Sequence, residues 1–545
     1  MPLTADMPRF QRHPSTALTA VLAILAAGCG GPKIPEAALR DAIGRRSAEV
    51  SRDREWVVRS LETVYAGGDH LWLDGEKLGE DGAAALSALK GADHEGLDAE
   101  AFGVTAALAA LGALQALPES DSAGRTDALV DLEVRLSLGV LEYARDLVRG
   151  RFDPAQAGQD WRIEPEPLPS NPLVRVRDGE PVGDVLASLR PRAPVYARLV
   201  ETLATLREVQ AGGGWPGVDA DVRARIGWPG HGVASLRARL RASEDSVERL
   251  LAASGGDSNV YDADLAGAVR RFQSRHGLEP DGELGYATLR ELATPVEERI
   301  EDVILNLDRL RWLPRDLGEH AIVVNVAGFE FELLEDHETK LAMNVIVGRA
   351  SWATTVFTAR MERLEFNPFW NVPASIAAAE VLPAARNDPG YLARNGFEVV
   401  GPDGSADGVT GDPDADGFRI RQRPGARNAL GQVKFMFPNP YSIYLHDTPD
   451  DYLFSRSVRA FSHGCIRLER PIELAREIVE HHTDLPLADV DRILASGRNV
   501  SVELDRPLDV YVVYLTAWVG EDGTSYFYRD IYDRDDALRR MVTTA

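Results

Sequence analysis

One cysteine of this sequence stands among residues that could make it a nucleophile. Cys465 lies in the run Phe461-Ser462-His463-Gly464-Cys465-Ile466-Arg467-Leu468, and the other cysteine of the chain is Cys29. A free thiol has a pKa of about 8.5 and is mostly protonated at neutral pH, so a reactive cysteine needs a base or a positive neighbour. The alternative is that Cys465 is a small buried hydrophobic residue.

His446 is the candidate base. It lies 19 residues before Cys465, at the end of the strand-like run Ser442-Ile443-Tyr444-Leu445, which would hold the imidazole rigidly. A backbone carbonyl or Asp447 could accept its second N–H and set the tautomer. His463 competes for this role, but its position two residues before Cys465 leaves no room for a substrate between the two side chains.

Gly464 and Arg467 flank the thiol with properties that suit catalysis. Gly464 would let the backbone N–H groups around Cys465 converge on a developing oxyanion. Arg467 is always charged and can hold a carboxylate through two hydrogen bonds, or else brace the loop through a salt bridge. Tyr444 and Trp370 are candidates for lining a substrate cleft, with burial in the core as the alternative.

The remaining histidines do not indicate a metal site. His481-His482 follow a helix-like run, and histidine near a helix C-terminus usually interacts with the helix dipole. We therefore predict no metal and no cofactor.

Length and charge limit the classes of protein to consider. At 545 residues the chain is too long for one hydrophobic core, so several domains are expected. Apolar residues make up 44% and charged residues 27%, which is typical of a soluble folded protein. The net charge of −25 repels polyphosphate, so we expect no nucleic-acid partner.

The N-terminus has the pattern of an export signal. Arg9 and Arg12 precede the apolar run 17–27, which is shorter than the roughly 20 helical residues that span a bilayer. Gly28-Cys29 after that run resembles the lipobox of bacterial lipoproteins. The resemblance implies a signal peptide over 1–28, lipidation of Cys29 and a periplasmic, lipid-anchored protein. A plain secretion signal or an uncleaved anchor is the alternative; Gly30 favours the outer membrane.

Two helical regions follow the signal. Residues 36–254 show apolar residues at three- and four-residue spacings, as in Leu136, Val140, Tyr143 and Leu147, and predict a helical domain, with loops or a strand pair over about 155–190. Residues 255–295 predict two helices joined by a Pro280-Asp281-Gly282 turn. The register from Asp264 to Leu289 resembles the three-helix peptidoglycan-binding module. A generic helical hairpin between two domains is the alternative.

The pattern then changes to strands. Residues 321–326, 329–334 and 343–348 are β-branched or alternating runs, and predict a mostly antiparallel β domain over 299–505. An Ala-rich, then Asp/Gly/Pro-rich insertion at about 374–431 resembles a lid, because long loops in compact domains are often functional. Residues 506–545 predict a C-terminal hairpin extension. The expected fold class is a multidomain α+β protein.

Several motifs together resemble the L,D-transpeptidase family with the YkuD-type catalytic domain. Ser462-His463-Gly464-Cys465-x-Arg467 resembles its signature, and Tyr444-Leu445-His446-Asp447-Thr448 resembles its second catalytic element. The resemblance extends over roughly residues 50–530 through further motifs: Leu71-Trp72, Arg192-Ala193-Pro194-x-Tyr196, Asn367-Pro368-x-Trp370 and Arg423-Pro424-Gly425-x-x-Asn428.

The resemblance implies an activity and roles for these residues. Cys465 would attack a peptidoglycan stem tetrapeptide at its third residue, D-Ala would leave, and a neighbouring stem would accept the acyl group to give a 3–3 cross-link. It also implies that carbapenems acylate the enzyme, that His463 shapes the site and that Arg467 anchors the substrate. Hydrolysis by the same residues (an L,D-carboxypeptidase) and a non-catalytic wall-binding scaffold are the alternatives. The intact set of Cys465, His446 and Arg467 argues against the scaffold.

Overall fold

The computed structural model describes residues 35–544, except positions 51, 69, 158–160, 220–221, 223–225, 244–258 and 402–418. The predicted signal peptide and the lipidation site at Cys29 lie outside the described residues. Within those residues, no helix is both long and apolar enough to cross a membrane.

The N-terminal region is helical, as predicted. Its core surrounds the long helix α5, which buries residues such as Leu132, Leu136 and Val140. Asp121 caps the start of α5, because its side chain accepts the N–H of Gly124. The elements are α1 (Glu36–Arg46), α2 (Arg54–Tyr65), α3 (Glu80–Lys90), α4 (Val104–Ala116), α5 (Ser122–Arg149), α6 (Pro154–Ala157), α7 (Pro172–Arg177), α8 (Val182–Ala187), α9 (Pro194–Ala211), β1 (Leu73–Asp74), β2 (Lys77–Leu78) and β3 (Trp161–Arg162).

The expected loops or strand pair at about 155–190 need a correction. This segment contains the helices α7 and α8, and among its described residues only β3 is a strand. Asn171 caps α7 by accepting the N–H of Leu173, and Pro172 occupies the first turn. Proline breaks a helix interior but suits a helix start, and this is why a Pro-rich segment could still form helices.

A second helical unit has its own small core. Its helices are α10 (Val233–Arg241), α11 (Ala263–Arg275) and α12 (Tyr286–Leu292). Val233, Leu236 and Leu240 of α10 are buried together with Val269 and Phe272 of α11. The unit therefore extends upstream of the predicted start at 255, because α10 supplies one side of the same core.

The C-terminal part is a mostly antiparallel β domain, as predicted. The strand order is β11-β12-β14-β6-β5-β4-β15-β7-β3, and β11 also pairs with β7, so the path of paired strands closes on itself. The strands are β4 (His320–Asn325), β5 (Glu330–Glu335), β6 (Glu338–Gly348), β7 (Val356–Phe366), β8 (Trp370–Asn371), β9 (Phe397–Val400), β10 (Arg419–Gln422), β11 (Val433–Met436), β12 (Leu445–His446), β13 (Ala460–Ser462), β14 (Ile466–Leu468), β15 (Val500–Val513), β16 (Ala517–Val519) and β17 (Ser525–Phe527).

Helices cover this sheet, and one of them comes from the predicted scaffold region. The helices of the C-terminal part are α13 (Val296–Arg311), α14 (Ala374–Ile376), α15 (Leu382–Asn387), α16 (Tyr391–Arg394), α17 (Pro471–His482), α18 (Leu487–Ser496) and α19 (Arg534–Thr544). Helix α9 contributes Val195, Leu199 and Leu203 to the core of the β domain, and β3 pairs in parallel with β7. The scaffold region and the β domain thus share a core.

The predicted C-terminal hairpin is partly wrong. Strand β15 runs through the expected boundary at 505 and lies between β4 and β7 in the main sheet. Val510, Val512 and Val513 are all buried, which is the property of a central strand covered on both faces. The hairpin of this region is formed by β16 and β17 instead.

The insertion at 374–431 is a small folded unit in its described part. Strands β8, β10 and β9 form a separate sheet, and Val372, Ile376, Val381 and Ile420 form a small core with neighbouring apolar residues. A π-helical turn, Ala377–Val381, lies between α14 and α15.

Candidate active site

A parallel pair of short strands brings the predicted residues together. Strand β12 pairs with β14 so that His446 is opposite Arg467 and Leu445 is opposite Ile466. The N–H of Ile466 donates to the carbonyl of Tyr444 over 3.1 Å. This register places Cys465, which immediately precedes β14, beside Tyr444.

The Cys465 thiol is partly accessible and lies among polar groups. Its Sγ is 3.6 Å from the carbonyl oxygen of Ser442, a residue with a φ of 58°. Burial raises the pKa of the thiol, whereas hydrogen bonds from the Tyr444 amide and hydroxyl and the charges of Lys434 and Arg467 lower it. The thiolate is therefore costly to form here without a base and positive neighbours.

His446 is held as a neutral imidazole. Its Nδ1 is 2.5 Å from the carbonyl oxygen of Asp447, and because a carbonyl only accepts, Nδ1 carries the proton and Nε2 is left as the acceptor. The residue is 4% exposed, and burial, with Arg467 and Lys434 nearby, lowers its pKa to about 3. An unprotonated Nε2 is the state that a general base requires.

The carboxylate of Asp447 does not orient His446. It accepts the backbone N–H groups of Gln432 and Thr448, each over 2.7 Å, while its main-chain carbonyl contacts the imidazole. The sequence left two possible acceptors for the second N–H of His446, a backbone carbonyl or the Asp447 carboxylate. In the structure the acceptor is the backbone carbonyl. The carboxylate supports the turn that carries it.

The hydroxyl of Ser462 forms two hydrogen bonds within the loop before Cys465. Ser462 Oγ donates to the carbonyl of Cys465 over 2.5 Å and accepts the N–H of Gly464 over 3.1 Å. Gly464 has a φ of 111°, a conformation that favours glycine, and Thr354 donates to its carbonyl over 2.9 Å. The Gly464 N–H already donates to Ser462, so it is not one of the N–H groups predicted to converge on an oxyanion.

His463 contacts the insertion. Its Nε2 is 2.8 Å from Oε1 of Glu380 in the π-helical turn and 2.8 Å from a guanidinium nitrogen of Arg349. Its ring packs edge-on against Trp352 at 5.1 Å. These contacts do not support His463 as the base, and they join the catalytic loop to the insertion.

Arg467 has one acidic partner and one free nitrogen. Its guanidinium lies 3.1 Å from the carboxylate of Asp450 and 3.4 Å from the hydroxyl of Thr448. Its Nε is buried and has no hydrogen-bond partner among the described residues. The loop-bracing salt bridge that the sequence left open is thus present, and it leaves one donor unsatisfied.

Tyr444 connects the thiol to the insertion. Its hydroxyl interacts with Cys465 and with Trp370 of β8, and burial raises its pKa well above the usual value. The ring lies 5.5 Å from that of His446. Trp370 packs at the edge of the small core of the insertion, so it contacts the site and the core at once.

Lys434 and Glu380 are among the residues of this site that the sequence predictions did not include. Lys434 of β11 has its Nζ 4.1 Å from the centre of the Tyr444 ring, and Glu380 pairs with His463. The sequence did contain a signal for Lys434, because a lysine between two apolar residues of a strand points to the opposite face from both. For Glu380 the sequence contains no comparable signal, since it lies in an Ala-rich helical stretch.

A group of potential metal ligands lies elsewhere, on α17. Glu477, Glu480 and His481 bring one ligand atom each within 4.8 Å of one another at the protein surface. Lys340 and His481 both form ion pairs with Glu477, at 3.7 and 3.4 Å, and these pairs account for the arrangement.

Comparison with known proteins agrees with this architecture. The family model of the L,D-transpeptidase catalytic domain (YkuD) matches residues 319–491, the scaffold-domain model matches 59–203, and the model described as "Putative peptidoglycan binding domain" matches 230–292. A protein of Haemophilus influenzae named "Putative L,D-transpeptidase" is 32% identical over 240 residues, which are 43% of this chain and 48% of that protein. The chain thus spans about half the length of this curated relative. It carries the catalytic domain of the L,D-transpeptidases, joined to a scaffold domain and a peptidoglycan-binding domain.

Proposed function

We propose that this protein is a cysteine-dependent L,D-transpeptidase that forms 3–3 cross-links between peptidoglycan stem peptides. The observation that carries the proposal is the pairing of β12 with β14, which brings a neutral His446 with a free Nε2 to the strand beside the Cys465 thiol. A neutral base next to a protonated thiol suits a nucleophile that is activated as it attacks.

Acylation follows from this arrangement. His446 Nε2 takes the thiol proton while Sγ attacks the carbonyl carbon of the third residue of a tetrapeptide stem. We assign the oxyanion contact to the amide of Cys465, because the Gly464 N–H already donates to Ser462. The imidazolium then gives its proton to the leaving amine of D-Ala, and a thioester remains on Cys465.

Transfer reverses these roles. The side-chain amine of a neighbouring stem attacks the thioester carbon, gives a proton to His446 Nε2, and the Cys465 thiolate leaves and is reprotonated. The bond exchanged supplies the free energy, so no nucleotide is consumed. Arg467, with its buried free Nε, is the proposed anchor for a substrate carboxylate, and Tyr444 and Trp370 line the donor cleft.

The insertion at 374–431 is the proposed lid. It contacts the catalytic loop through Glu380 and His463, and it carries the small core next to Trp370. A lid over the thioester excludes water while a second bound strand supplies the amine, and a linked wall-binding domain raises the local substrate concentration. A hydrolase needs neither feature, which favours transfer over the L,D-carboxypeptidase alternative.

The products formed from purified disaccharide-tetrapeptide test this proposal. We expect mass spectrometry to show mainly 3–3 linked dimers, with D-Ala released in roughly equal amount. Cys465→Ala should give no product and no carbapenem adduct, whereas Cys29→Ala, which removes the other cysteine, should retain both. An adduct on Cys465→Ala would refute the nucleophile, and tripeptide monomer as the main product would establish the carboxypeptidase instead.

Anchoring at Cys29 in the periplasm is the proposed location. The matches to peptidoglycan-binding and transpeptidase domains support a location at the cell wall, and the lipobox-like sequence would attach the protein to a membrane, with Gly30 favouring the outer one. Cys29→Ala should then leave the membrane pellet in cell fractionation. Equal fractionation of the two proteins would contradict the anchor.

A further inference from the structure

A half-buried lysine lies in the strand next to His446. Lys434 is in β11, where its register partners are His446 of β12 and Glu365 of β7. The strand therefore delivers the ammonium group to the same site as the base. Lysine is seldom buried without a reason, because removing its charge from water is costly.

Burial lowers the pKa of Lys434, and its surroundings offset part of that cost. Its Nζ is 4.1 Å from the centre of the Tyr444 ring, within the range of a cation–π interaction. Burial and the neighbouring Arg363 lower the pKa of the ammonium group, whereas the Glu365 carboxylate and a thiolate at Cys465 raise it. The charge is thus stabilised by the ring, by an acidic neighbour and by the thiolate itself.

Tyr444 lies between the lysine and the thiol. Its hydroxyl interacts with Cys465, and a cation against the ring makes a phenol a stronger hydrogen-bond donor. The other cation near Cys465 is Arg467, whose guanidinium is paired with Asp450 at 3.1 Å. Lys434 therefore acts on the sulfur both through its own charge and through the Tyr444 hydroxyl.

We propose that Lys434 is a positioning residue of the active site, whose ammonium group on the Tyr444 ring stabilises the thiolate of Cys465. The inference rests on the proposed function in giving Cys465 the role of nucleophile. When His446 Nε2 takes the thiol proton, the negative charge left on Sγ is met by Lys434 and by the Tyr444 hydroxyl. The same cation disfavours an imidazolium at His446, so the proton passes readily to the leaving amine as the C–N bond breaks and the thioester forms.

The pH dependence of Cys465 alkylation tests this role without a wall substrate. Iodoacetamide labelling of the full-length protein is followed by mass spectrometry of the peptide that contains Cys465, which separates it from Cys29. In Lys434→Met the midpoint of the pH–rate curve should rise by about one unit, so that labelling at pH 7 slows about tenfold and recovers at high pH. Lys434→Arg should keep the wild-type midpoint, because it keeps the charge.

Carbapenem acylation gives a second readout. Its rate constant should fall about tenfold in Lys434→Met at pH 7, and the difference should close only at a pH above the raised midpoint of the variant, because a thiolate once formed no longer needs the lysine. Lys340→Met is the matched control, since Lys340 lies on the surface of β6 in ion pairs with Glu335 and Glu477. It should alter neither curve.

Defined results overturn the proposal. It fails if the Lys434→Met midpoint equals that of the wild type, if Lys434→Arg shifts as far as Lys434→Met, or if the rate falls equally at every pH. Lys434→Gln replaces Lys434→Met if the latter does not melt cooperatively. A shifted labelling curve in a protein that makes no cross-linked product would support the role of Lys434 while rejecting the proposed transpeptidase.

Discussion

At the scale of single residues, the proposed mechanism starts from two partners, Cys465 and His446, that are both neutral before substrate binds. Burial raises the pKa of Cys465 and lowers that of His446 to about 3. A preformed thiolate–imidazolium pair would need these pKa values in the opposite order, so the geometry favours proton transfer during attack. The acceptor for His446 Nδ1 is a main-chain carbonyl, which no side-chain substitution removes directly.

Substitutions of His446 and Asp447 should therefore differ in effect. His446→Ala removes the base and should lower the carbapenem acylation rate by about 10²–10⁴-fold. Asp447→Asn keeps the carbonyl that orients the imidazole and should lower it by less than about tenfold, through a looser turn. Stopped-flow acylation rates measure both. Equal losses would assign the orienting role to the Asp447 carboxylate, and an active His446→Ala would move the base to His463.

At the scale of elements, an ionisable contact connects the insertion to the loop that precedes Cys465. The π-helical turn carries Glu380, whose carboxylate lies 2.8 Å from His463 and 3.5 Å from Arg349. π-Helical turns are uncommon and often occur at functional sites. His463 is two residues from the nucleophile, so the position of the insertion and that of the loop are linked.

Loosening this contact should shift the reaction towards hydrolysis. Glu380→Gln keeps the shape of the side chain but loses its charge, so the insertion should cover the thioester less well and admit water. We expect the ratio of tripeptide to 3–3 dimer to rise several-fold in a muropeptide assay. Asp388→Asn is the control, because Asp388 pairs with Arg394 inside the insertion. A product ratio that stays at the wild-type value in Glu380→Gln would rule out this role of the contact.

At the scale of the whole molecule, buried polar contacts join the domains to the β domain. Tyr196 of α9 donates to Glu95 over 2.7 Å and accepts from Arg311 of α13 over 2.8 Å, all three being buried. On the other side, His276 of the peptidoglycan-binding unit stacks on Phe527 of β17 at 5.8 Å. Partners for each buried group make these junctions specific.

The buried histidines make the stability of the molecule depend on pH. His446 has a folded pKa of about 3, and burial with Arg299 and Arg275 nearby lowers that of His276 well below its ordinary value of 6.5. Below pH 6.5 these two histidines bind protons in the unfolded chain and not in the folded chain, so their contribution to the free energy of unfolding falls as the pH drops from 6.5 towards 3. His446 alone should account for about 2 kcal/mol at pH 5.

Denaturant unfolding at pH 7 and pH 5 measures this loss. His446→Gln should lose about 2 kcal/mol less than the wild type between these values, because it has no proton to exclude. His481→Gln, at an exposed site on α17, should behave as the wild type does. The same pH dependence in the wild type and His446→Gln would contradict a neutral buried His446.

What the sequence determined by itself was the local pattern and the order of parts. The alternation in residues 321–348 predicted β4, β5 and β6, the helical spacing predicted α5, and the Ser462-to-Arg467 motif with His446 identified the centre of the site. These features depend on neighbouring residues, whose periodicity can be read along the chain.

Tertiary structure decided what depends on partners distant in sequence. The parallel register of β12 and β14, the place of β15 between β4 and β7, and the packing of α9 on the β domain all follow from long-range pairing. So do the arrival of Lys434 beside Cys465 and the contact of His463 with Glu380. Periodicity shows which side of a strand a residue occupies, whereas burial and register, and hence pKa and hydrogen-bond partner, are set only when the strands meet.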